Sequence, residues 1–438
     1  MWTTEAEDQT VEAWINEGEL MPPSAGAAAT WTYRADGLGL PVETESAAPR
    51  TKATIQIEES ESQEMTSTRS EIDVAVLGGG ILGVSTAVHL LRSGASVVLI
   101  TEGELSSGAT GRSLSWLNSA GHRSHAYHHL RMAGIDRYRT LFAEDPTREW
   151  LQFQGGLFWA PAGDAPKAEA RHEYEQSHGY DSILIKPEQI SALTPGIDDT
   201  AVTDAAVFNP GEGWVSLPHL VAYLMEEFRA RGGELVTNSG KSRVLATDGM
   251  AAGVITEDGT RYTADKVVVA CGAATPSVVK EHGVYIADAS PLSALVITEP
   301  ANTDLEAVLN TPRAAVRPNP GGSLALDHSW YEEQIVEAAD GTFSMPDEVV
   351  KELTEEASRL LQGNPQLTAA SCRVGRKPVP GDGQPVFGEL EKLPGCFVAF
   401  SHSGATVGLI AGELLSFEII TGQKHPMLET FRPERFSR

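Results

Sequence analysis

Three glycines, Gly78, Gly80 and Gly83, carry the spacing G-x-G-x-x-G between an apolar run, IDVAVL, and a helix-like segment, VSTAVHLLRSG. In a dinucleotide site the first glycine permits a tight turn, the second lets the backbone approach a pyrophosphate, and the third lets the helix pack on the strand. The helix N-terminus then offers free N–H groups and a partial positive charge to the phosphates. Gly-rich turns also occur in other doubly wound folds, but the flanking strand and helix favour a dinucleotide-binding βαβ unit here.

A dinucleotide site also needs an acidic group at the end of the second strand to hold the ribose hydroxyls. The second strand is ASVVLI, and Glu102 lies 19 residues after Gly83. We therefore predict that Glu102 binds ribose, with a surface glutamate at a strand end as the alternative.

The loop after Glu102, GELSSGATGRSLSWLN, favours FAD over NAD. NAD dehydrogenases usually continue here into a third βα unit, whereas this Gly/Ser/Thr loop suits a longer cofactor. A late strand, loop and helix, CFVAFS-HSGAT-VGLIAG, would bring a second helix N-terminus to the same cofactor, where its dipole would stabilise reduced flavin. These segments supply the predicted cofactor-binding residues Ser107, Thr110, Arg112, Ser113, Ser401, Ser403, Gly404 and Thr406, and the run DKVVVACGA supplies Gly272.

The composition excludes several classes of protein. The 438 residues exceed one ordinary domain, and 41% of them are hydrophobic, enough for a sizeable core. A formal net charge of −27 disfavours nucleic acid and anionic membrane surfaces as partners. Cys271, Cys372 and Cys396 are too few and too widely spaced for a disulfide framework or a zinc site, so we predict no metal. Without a signal-peptide pattern or a transmembrane run of roughly 18 apolar residues, the predicted location is cytoplasmic.

The first 70 residues differ from the rest, with 13 acidic and four basic side chains. Such a composition predicts a disordered acidic extension, with partner docking as the alternative. Met65 precedes TSTRSEIDVAVLGGG and looks like a natural start.

The whole stretch Ile72–Phe436 resembles the D-amino-acid oxidase-type FAD-dependent oxidoreductases, which include glycine oxidase, sarcosine oxidase and D-amino-acid dehydrogenase. The resemblance rests on six motifs in family order: DVAVLGGGILGVSTAVHLLRSGASVVLI, SSGATGRS, GWVSLPHLVAYLMEEFRARGG, DKVVVACGA, GRKPVPGDGQPVFG and FSHSGATVGLIAGELLSFEIITG. It implies an α/β fold (α+β overall), with a Rossmann-like FAD-binding domain over 71–155, 206–289 and 365–438. A substrate domain built on an antiparallel sheet would cover 156–205 and 290–364.

The resemblance also implies a chemistry, the oxidation of a carbon–nitrogen bond by hydride transfer to flavin N5, followed by hydrolysis of the imine. The substrate would be an amine or amino acid, and oxygen or another acceptor would reoxidise the flavin. The alternatives are the flavin-binding subunit of a hetero-oligomeric dehydrogenase with a protein or quinone acceptor, and a non-catalytic flavoprotein. Either a homo- or a hetero-oligomer is compatible with the sequence.

Several positions depart from the family pattern. The acidic ribose ligand falls on Thr101 by gapless count, so Glu102 is offset by one. Lys377 replaces the arginine that often binds substrate carboxylate, and lysine lacks the bidentate fork. Where members with covalent flavin carry a cysteine or histidine, this chain has Gly375 and Arg112. We therefore expect noncovalent FAD.

Three side chains are the predicted substrate-side residues. Lys377 would bind a carboxylate, with a solvent-facing lysine or one that supports the flavin ring as the alternative. His402, in the SHSG loop, would contact the flavin or tune substrate ionisation near neutral pH, with a histidine that caps or packs on the next helix as the alternative. Arg317 lies in a strand-like run, AAVRPNPGG, and would line the substrate pocket, with an exposed strand arginine as the alternative. The HRSHAYHH cluster, 122–129, lacks a metal-ligand spacing and predicts solvated histidines on a helix.

Overall fold

The structure is a computed structural model that describes residues 72–436, so the predicted acidic extension lies outside the described residues. Its strands in chain order are β1 (Ile72–Leu77), β2 (Val97–Ile100), β3 (Trp116–Leu117), β4 (Leu151–Gln152), β5 (Gly156–Trp159), β6 (Ile183–Ile185), β7 (Ala206–Asn209), β8 (Gly213–Val215), β9 (Glu234–Val236), β10 (Arg243–Thr247), β11 (Met250–Ile255), β12 (Arg261–Val269), β13 (Leu292–Thr298), β14 (Val308–Asn310), β15 (Ala315–Asn319), β16 (Ser323–Asp327), β17 (Val336–Glu337), β18 (Phe343–Ser344), β19 (Ala369–Arg376), β20 (Val386–Leu390) and β21 (Leu393–Phe400). The α-helices are α1 (Ile81–Arg92), α2 (His125–Glu144), α3 (Ala165–Ser177), α4 (Ile190–Leu193), α5 (Leu217–Ala230), α6 (Thr275–Lys280), α7 (Asp347–Ser358) and α8 (Gly404–Thr421).

The first sheet has a parallel centre in the order β21–β12–β1–β2–β9. β20 pairs antiparallel with β21, and the hairpin β10–β11 continues onto the first half of β12. The apolar runs of β1 and β2 are buried on both faces, because α1, α2, α5 and α8 cover one face and the hairpin covers the other. This arrangement is the predicted Rossmann-like layer.

The second sheet follows the order β19–β13–β16–β15–β14–β5–β7–β6 and is antiparallel except between β14 and β5. Its core packs against α7, with Val349 and Leu353 buried. The predicted domain boundaries place two strands of this sheet, β7 and β19, in the FAD-binding domain. β7 pairs with β5 and β6, and β19 pairs with β13, so both belong to the second sheet. Strand pairing over a long sequence distance is not visible in local patterns.

Helices α1 and α8 pack closely because small residues face each other. A Cβ atom on Gly412 would lie 2.3 Å from Ser85 Oγ, and one on Gly408 would lie 2.7 Å from Ile81 Cγ1. α8 ends at Gly422, which has a φ of +69°, as the sequence predicts. By length and composition α8 is apolar enough to cross a membrane, a property that the sequence analysis missed, and 61% of it is buried inside this fold.

Candidate functional site

The three glycines of the G-x-G-x-x-G turn occupy positions where no larger residue fits. Gly78 has a φ of +116°, and a Cβ atom on it would lie 2.2 Å from the carbonyl oxygen of Ala270. A Cβ on Gly80 would lie 2.9 Å from Thr110 Oγ1, and one on Gly83 would lie 2.0 Å from the Gly78 oxygen. The N-cap residue of α1, Gly80, provides no side-chain cap, so N–H groups of the first turn other than that of Ile81 are available to an anion.

Glu102 is exposed at the end of β2, close to this turn. Burial, and then the negative charge of Glu102, raise the pKa of the Cys271 thiol to about 12. Cys271 in turn contacts the carbonyl oxygen of Leu77 at 3.6 Å, at the start of the glycine turn. Thr101 is buried, and its carbonyl oxygen accepts a hydrogen bond from the Ser239 hydroxyl at 3.0 Å. Glu102 therefore remains the proposed ribose ligand, whereas Thr101 holds the strand end.

The loop between β2 and β3 is anchored on α1. Thr110 Oγ1 accepts a hydrogen bond from the Ile81 backbone N–H at 3.0 Å, which fixes the loop to the first residue of the helix. Ser113 accepts from a backbone N–H two residues on, at 3.0 Å, and Ser107 is exposed. Ser106, which the sequence analysis did not single out, has a φ of +60°, and its buried hydroxyl has no partner within 72–436. That hydroxyl is available to a cofactor.

Arg112 and Gly375, which the sequence analysis compared separately with covalently flavinylated members, lie against each other. A Cβ atom on Gly375 would lie 2.5 Å from Arg112 Cζ. The guanidinium donates to the carbonyl oxygen of Val374 at 3.3 Å, and its buried Nε has no partner in the described part of the chain. Burial, and then the positive charge of Arg373, lower the pKa of Arg112.

The N-termini of α1 and α8 meet, and we call this place the helix-end site (Ile81, Gly404 and Ser403). A Cβ atom on Gly404 would lie 3.7 Å from Ile81 Cγ2, so the first residues of the two helices are neighbours. Two partial positive charges therefore lie at one edge of the first sheet. Thr406, in the first turn of α8, donates its hydroxyl to the carbonyl oxygen of Trp116 at 3.2 Å, and the Gly272 turn follows β12 with a φ of +56°.

The Ser403 hydroxyl does not cap α8, contrary to the usual role of serine at this position. Instead it accepts hydrogen bonds from Tyr127 Oη at 2.5 Å and from Arg131 Nη1. Its backbone N–H donates to Ser401 Oγ at 3.1 Å. Arg131 is 4% exposed and also donates to the carbonyl oxygen of Asn118 at 2.8 Å and to its Oδ1 at 2.9 Å.

Arg317 lies on β15 and is 2% exposed, so the prediction's alternative of an exposed arginine is wrong. Its guanidinium donates to the carbonyl oxygens of Leu114 and Pro318 and to Asn319 Oδ1. No carboxylate within 72–436 pairs with it, and burial lowers its pKa to about 9. Arg317 Cζ lies 5.0 Å from the centre of the Trp214 ring. The Nε1 atom of this ring is buried and has no hydrogen-bond partner among the described residues.

Lys377 is already neutralised by a carboxylate. Its Nζ lies 3.1 Å from Glu332 Oε1. His402 has an exposed surface, yet protein surrounds much of the ring. This burial, and then the positive charges of Lys377, Arg131 and Arg123, lower the pKa of His402 to about 4. A ring with this pKa is neutral near pH 7, and the role of His402 stays a prediction.

The buried carboxyl group of Glu212 contacts a side chain of β3. Glu212 is 1% exposed and accepts hydrogen bonds from Trp116 Nε1 at 2.7 Å and from Tyr180 Oη at 2.6 Å. Burial raises its pKa to about 8. Tyr180 Oη also accepts from the Ser119 backbone N–H at 2.9 Å, so Glu212 fixes both ends of the segment 116–119.

The sequence analysis predicted solvated histidines over 122–129, but not all of these histidines are solvated. His128 is buried and shares a hydrogen bond of 2.8 Å with Ser119 Oγ, whereas His125 and His129 are exposed at the start of α2. Within the described residues, no group of three or more His, Cys, Asp and Glu side chains is arranged to hold a metal ion.

Comparison with known proteins decides the family. A family model described as FAD dependent oxidoreductase (DAO) matches residues 73–417. The chain belongs to this family. Mitochondrial sarcosine dehydrogenase of Homo sapiens is 25% identical over 408 residues, which cover 84% of this chain and 42% of that protein. The B subunit of opine oxidase from Agrobacterium tumefaciens (strain Ach5) is 21% identical over 381 residues, which cover 84% of this chain and 98% of that protein. This DAO-family chain thus spans less than half of the first relative and nearly all of the second.

A solved structure has the same fold. Glycine oxidase from Bacillus cereus ATCC 14579 superimposes with a TM-score of 0.69 at 19% sequence identity, covering 82% of this chain and 98% of that one. The predicted family and fold class are therefore confirmed.

The residues of the glycine turn and of the loop after β2 fit FAD. The glycine turn leaves room for a pyrophosphate, and buried, unpartnered polar atoms lie near it at Ser106 and Arg112. Glu102 would supply the carboxylate for ribose hydroxyls and stays a prediction. Sequence reasoning did not single out Ser106, Tyr127, Arg131 or Glu212, and the side-chain hydrogen bonds of Tyr127, Arg131 and Glu212 reach residues distant in sequence.

Proposed function

We propose that this chain uses noncovalent FAD to oxidise a carbon–nitrogen bond in an amine or amino acid that carries a carboxylate. The observation that carries the proposal is Arg317, a buried arginine with no carboxylate partner in the described part of the chain. An unpaired buried cation is costly, and an anionic ligand offsets that cost. The family supports the same substrate class through the names of sarcosine dehydrogenase and glycine oxidase.

In this proposal Arg317, not Lys377, receives the substrate carboxylate. The Nη2 group of Arg317 has no hydrogen-bond acceptor among residues 72–436 and is the atom that would bind the ligand. Lys377 has its charge balanced by Glu332. The apolar residues around Arg317, Leu114 and Trp214 among them, exclude water and so strengthen a charged hydrogen bond.

FAD, when bound, supplies the two-electron acceptor for the amine carbon. The chain's residues then have to orient the amine and handle its protons. A neutral His402 can accept a hydrogen bond from the amine, because burial and the surrounding cations keep its ring unprotonated. Fixing the carboxylate at Arg317 orients the carbon–nitrogen bond, and orientation is itself a large part of catalysis.

Anaerobic titration tests the function. D- and L-amino acids, N-methyl amino acids and amines without a carboxylate are added to the yellow holoprotein, and bleaching of the flavin is followed. Arg317→Gln should weaken the apparent affinity for a carboxylate substrate by about 10- to 150-fold, the equivalent of about 1.5–3 kcal/mol for a charged hydrogen bond. Lys377→Ala is the matched control and should change that affinity by less than about threefold.

The outcomes separate the two parts of the proposal. If only amines without a carboxylate bleach the flavin, the role of Arg317 is wrong and the oxidation stands. If Lys377→Ala weakens binding and Arg317→Gln does not, the two cations have been assigned the wrong way round. If no compound bleaches the flavin, amine oxidation by this chain alone is refuted.

A second candidate is the flavin-binding subunit of a hetero-oligomeric dehydrogenase. It is favoured by the 98% coverage of the opine oxidase relative, which is named as one subunit of a larger enzyme. Reoxidation of the bleached flavin distinguishes the candidates, because oxygen suffices for an oxidase, whereas a dehydrogenase needs a quinone, a dye or a protein acceptor. In both cases we propose a cytoplasmic protein.

Acid precipitation tests the noncovalent linkage. We expect FAD in the supernatant, since Gly375 and Arg112 cannot form a flavin bond. Colour retained in the pellet would contradict this expectation.

A further inference from the structure

Arg131 is a buried cation placed beside other positive charges. It is 4% exposed and forms no ion pair within residues 72–436. It contacts Ser403 at the N-terminus of α8, which carries a partial positive charge of its own. Its charge also reaches His402, together with the charges of Lys377 and Arg123. Like charges gathered at a helix N-terminus repel each other unless an electron-rich ligand binds there.

The hydrogen bonds at Ser403 fix the direction of its hydroxyl proton. A serine hydroxyl has two acceptor lone pairs and one donor. Tyr127 Oη fills one lone pair at 2.5 Å, and Arg131 Nη1 fills the other. The hydroxyl hydrogen is then left to donate, and no acceptor for it lies within the described chain. Because Arg131 is itself held by both oxygens of Asn118, the donor is pre-oriented.

We propose that Arg131 is a positioning residue that, with Tyr127, holds the Ser403 hydroxyl as a hydrogen-bond donor toward the bound flavin and thereby raises the flavin's reduction potential. The reason is electrostatic, since reduction adds negative charge to the flavin, and a fixed donor with a cation behind it stabilises that charge. The inference rests on the FAD of the proposed function but on no particular substrate.

Two substrate-free measurements on the FAD-loaded protein test this role. Sulfite binding to the oxidised flavin and dye equilibration during reduction both report how well the site stabilises negative charge. Arg131→Gln should raise the sulfite Kd at least tenfold. The equilibrium constant for reduction should fall at least tenfold, or about 30 mV for a two-electron couple. Arg139→Gln is the control, because Arg139 lies on the same helix, is exposed and donates only to the carbonyl oxygen of Gly211.

A second variant keeps the proposal testable if Arg131→Gln does not fold. Ser403→Ala removes the donor and retains the cation, so it should raise the sulfite Kd severalfold. If both measurements on Ser403→Ala match the wild-type protein, the proposal is overturned. It is overturned equally if Arg131→Gln lowers thermal stability and leaves the potential unchanged, which is the signature of a purely structural arginine. Because neither assay contains an amine, failure of the substrate assignment leaves these results interpretable.

Discussion

Replacing Glu212 by glutamine should make the protein more stable at alkaline pH. Burial raises the pKa of this carboxyl to about 8, whereas it is about 4.3 in an unfolded chain. Between these values the unfolded chain releases a proton that the folded protein keeps, so wild-type stability falls as the pH rises. Glutamine has the size and neutrality of the protonated carboxyl, and it can accept from Trp116 and donate to Tyr180.

The size of the effect follows from the linkage between protonation and folding. Each pH unit between the two pKa values costs the wild-type fold about 1.4 kcal/mol, and from pH 5 to pH 8 the loss reaches about 4 kcal/mol. An unfolding entropy of about 2.1 cal/mol/K per residue gives about 0.8 kcal/mol/K for residues 72–436. The gap in thermal midpoint between Glu212→Gln and wild type should therefore widen by about 5 °C.

Thermal unfolding of both proteins is measured from pH 5 to pH 8 at one protein concentration and one FAD concentration, because bound ligand also shifts the midpoint. Glu173→Gln, an exposed change on α3, is the control and should run parallel to wild type. If the Glu212→Gln curve also runs parallel to wild type, Glu212 is ionised in the fold and the reasoning from its burial fails.

Three further predictions concern the cofactor turn, an ion pair and the extension. Gly83→Ala should weaken FAD binding by about 5- to 150-fold, from a packing cost of about 1–3 kcal/mol where a Cβ lies 2.0 Å from a carbonyl oxygen; unchanged affinity in a fluorescence titration would contradict it. Arg432→Met should cost about 3–5 kcal/mol, because it leaves the buried Glu418 without the two hydrogen bonds of 2.7 Å. Adding Glu418→Gln should restore part of the thermal midpoint, and a loss below about 1 kcal/mol in the single variant would argue against a buried pair. A chain that begins at Met65 should fold, bind FAD and keep its activity, and loss of flavin or precipitation would show that the extension is structural.

Local patterns predict the parts of the site that are built from consecutive residues. The glycine turn and the start of α8 each depend on a short segment with its own conformational signal. Family resemblance adds the cofactor and the layer order. Thr110 was predicted in the cofactor loop from the Gly/Ser/Thr pattern of that loop, and its hydroxyl accepts a hydrogen bond from the Ile81 backbone N–H.

Side chains that act through distant contacts could not be found in this way. Arg131 lies 272 residues from Ser403, in a helix whose histidines are its most conspicuous feature in the sequence. The pairing of Lys377 with Glu332 changes its role, and nothing local to either residue signals it. The burial of Arg317 could not be predicted either, because only the folded sheet distinguishes a buried arginine from an exposed one.

Because α8 packs on α1, the core around α1 can form only after the end of the chain has been synthesised. Ser85 donates to the carbonyl oxygen of Leu409, a contact that spans 324 residues of chain. On the ribosome, β1 and α1 emerge long before α8, and the surface of α1 between Ile81 and Ser85 stays uncovered until α8 has been translated. Long-range closure of this kind folds slowly and exposes apolar surface in the meantime. We therefore expect FAD to bind only after α8 has been translated, and a nascent chain that stops before Gly404 should bind chaperones rather than FAD.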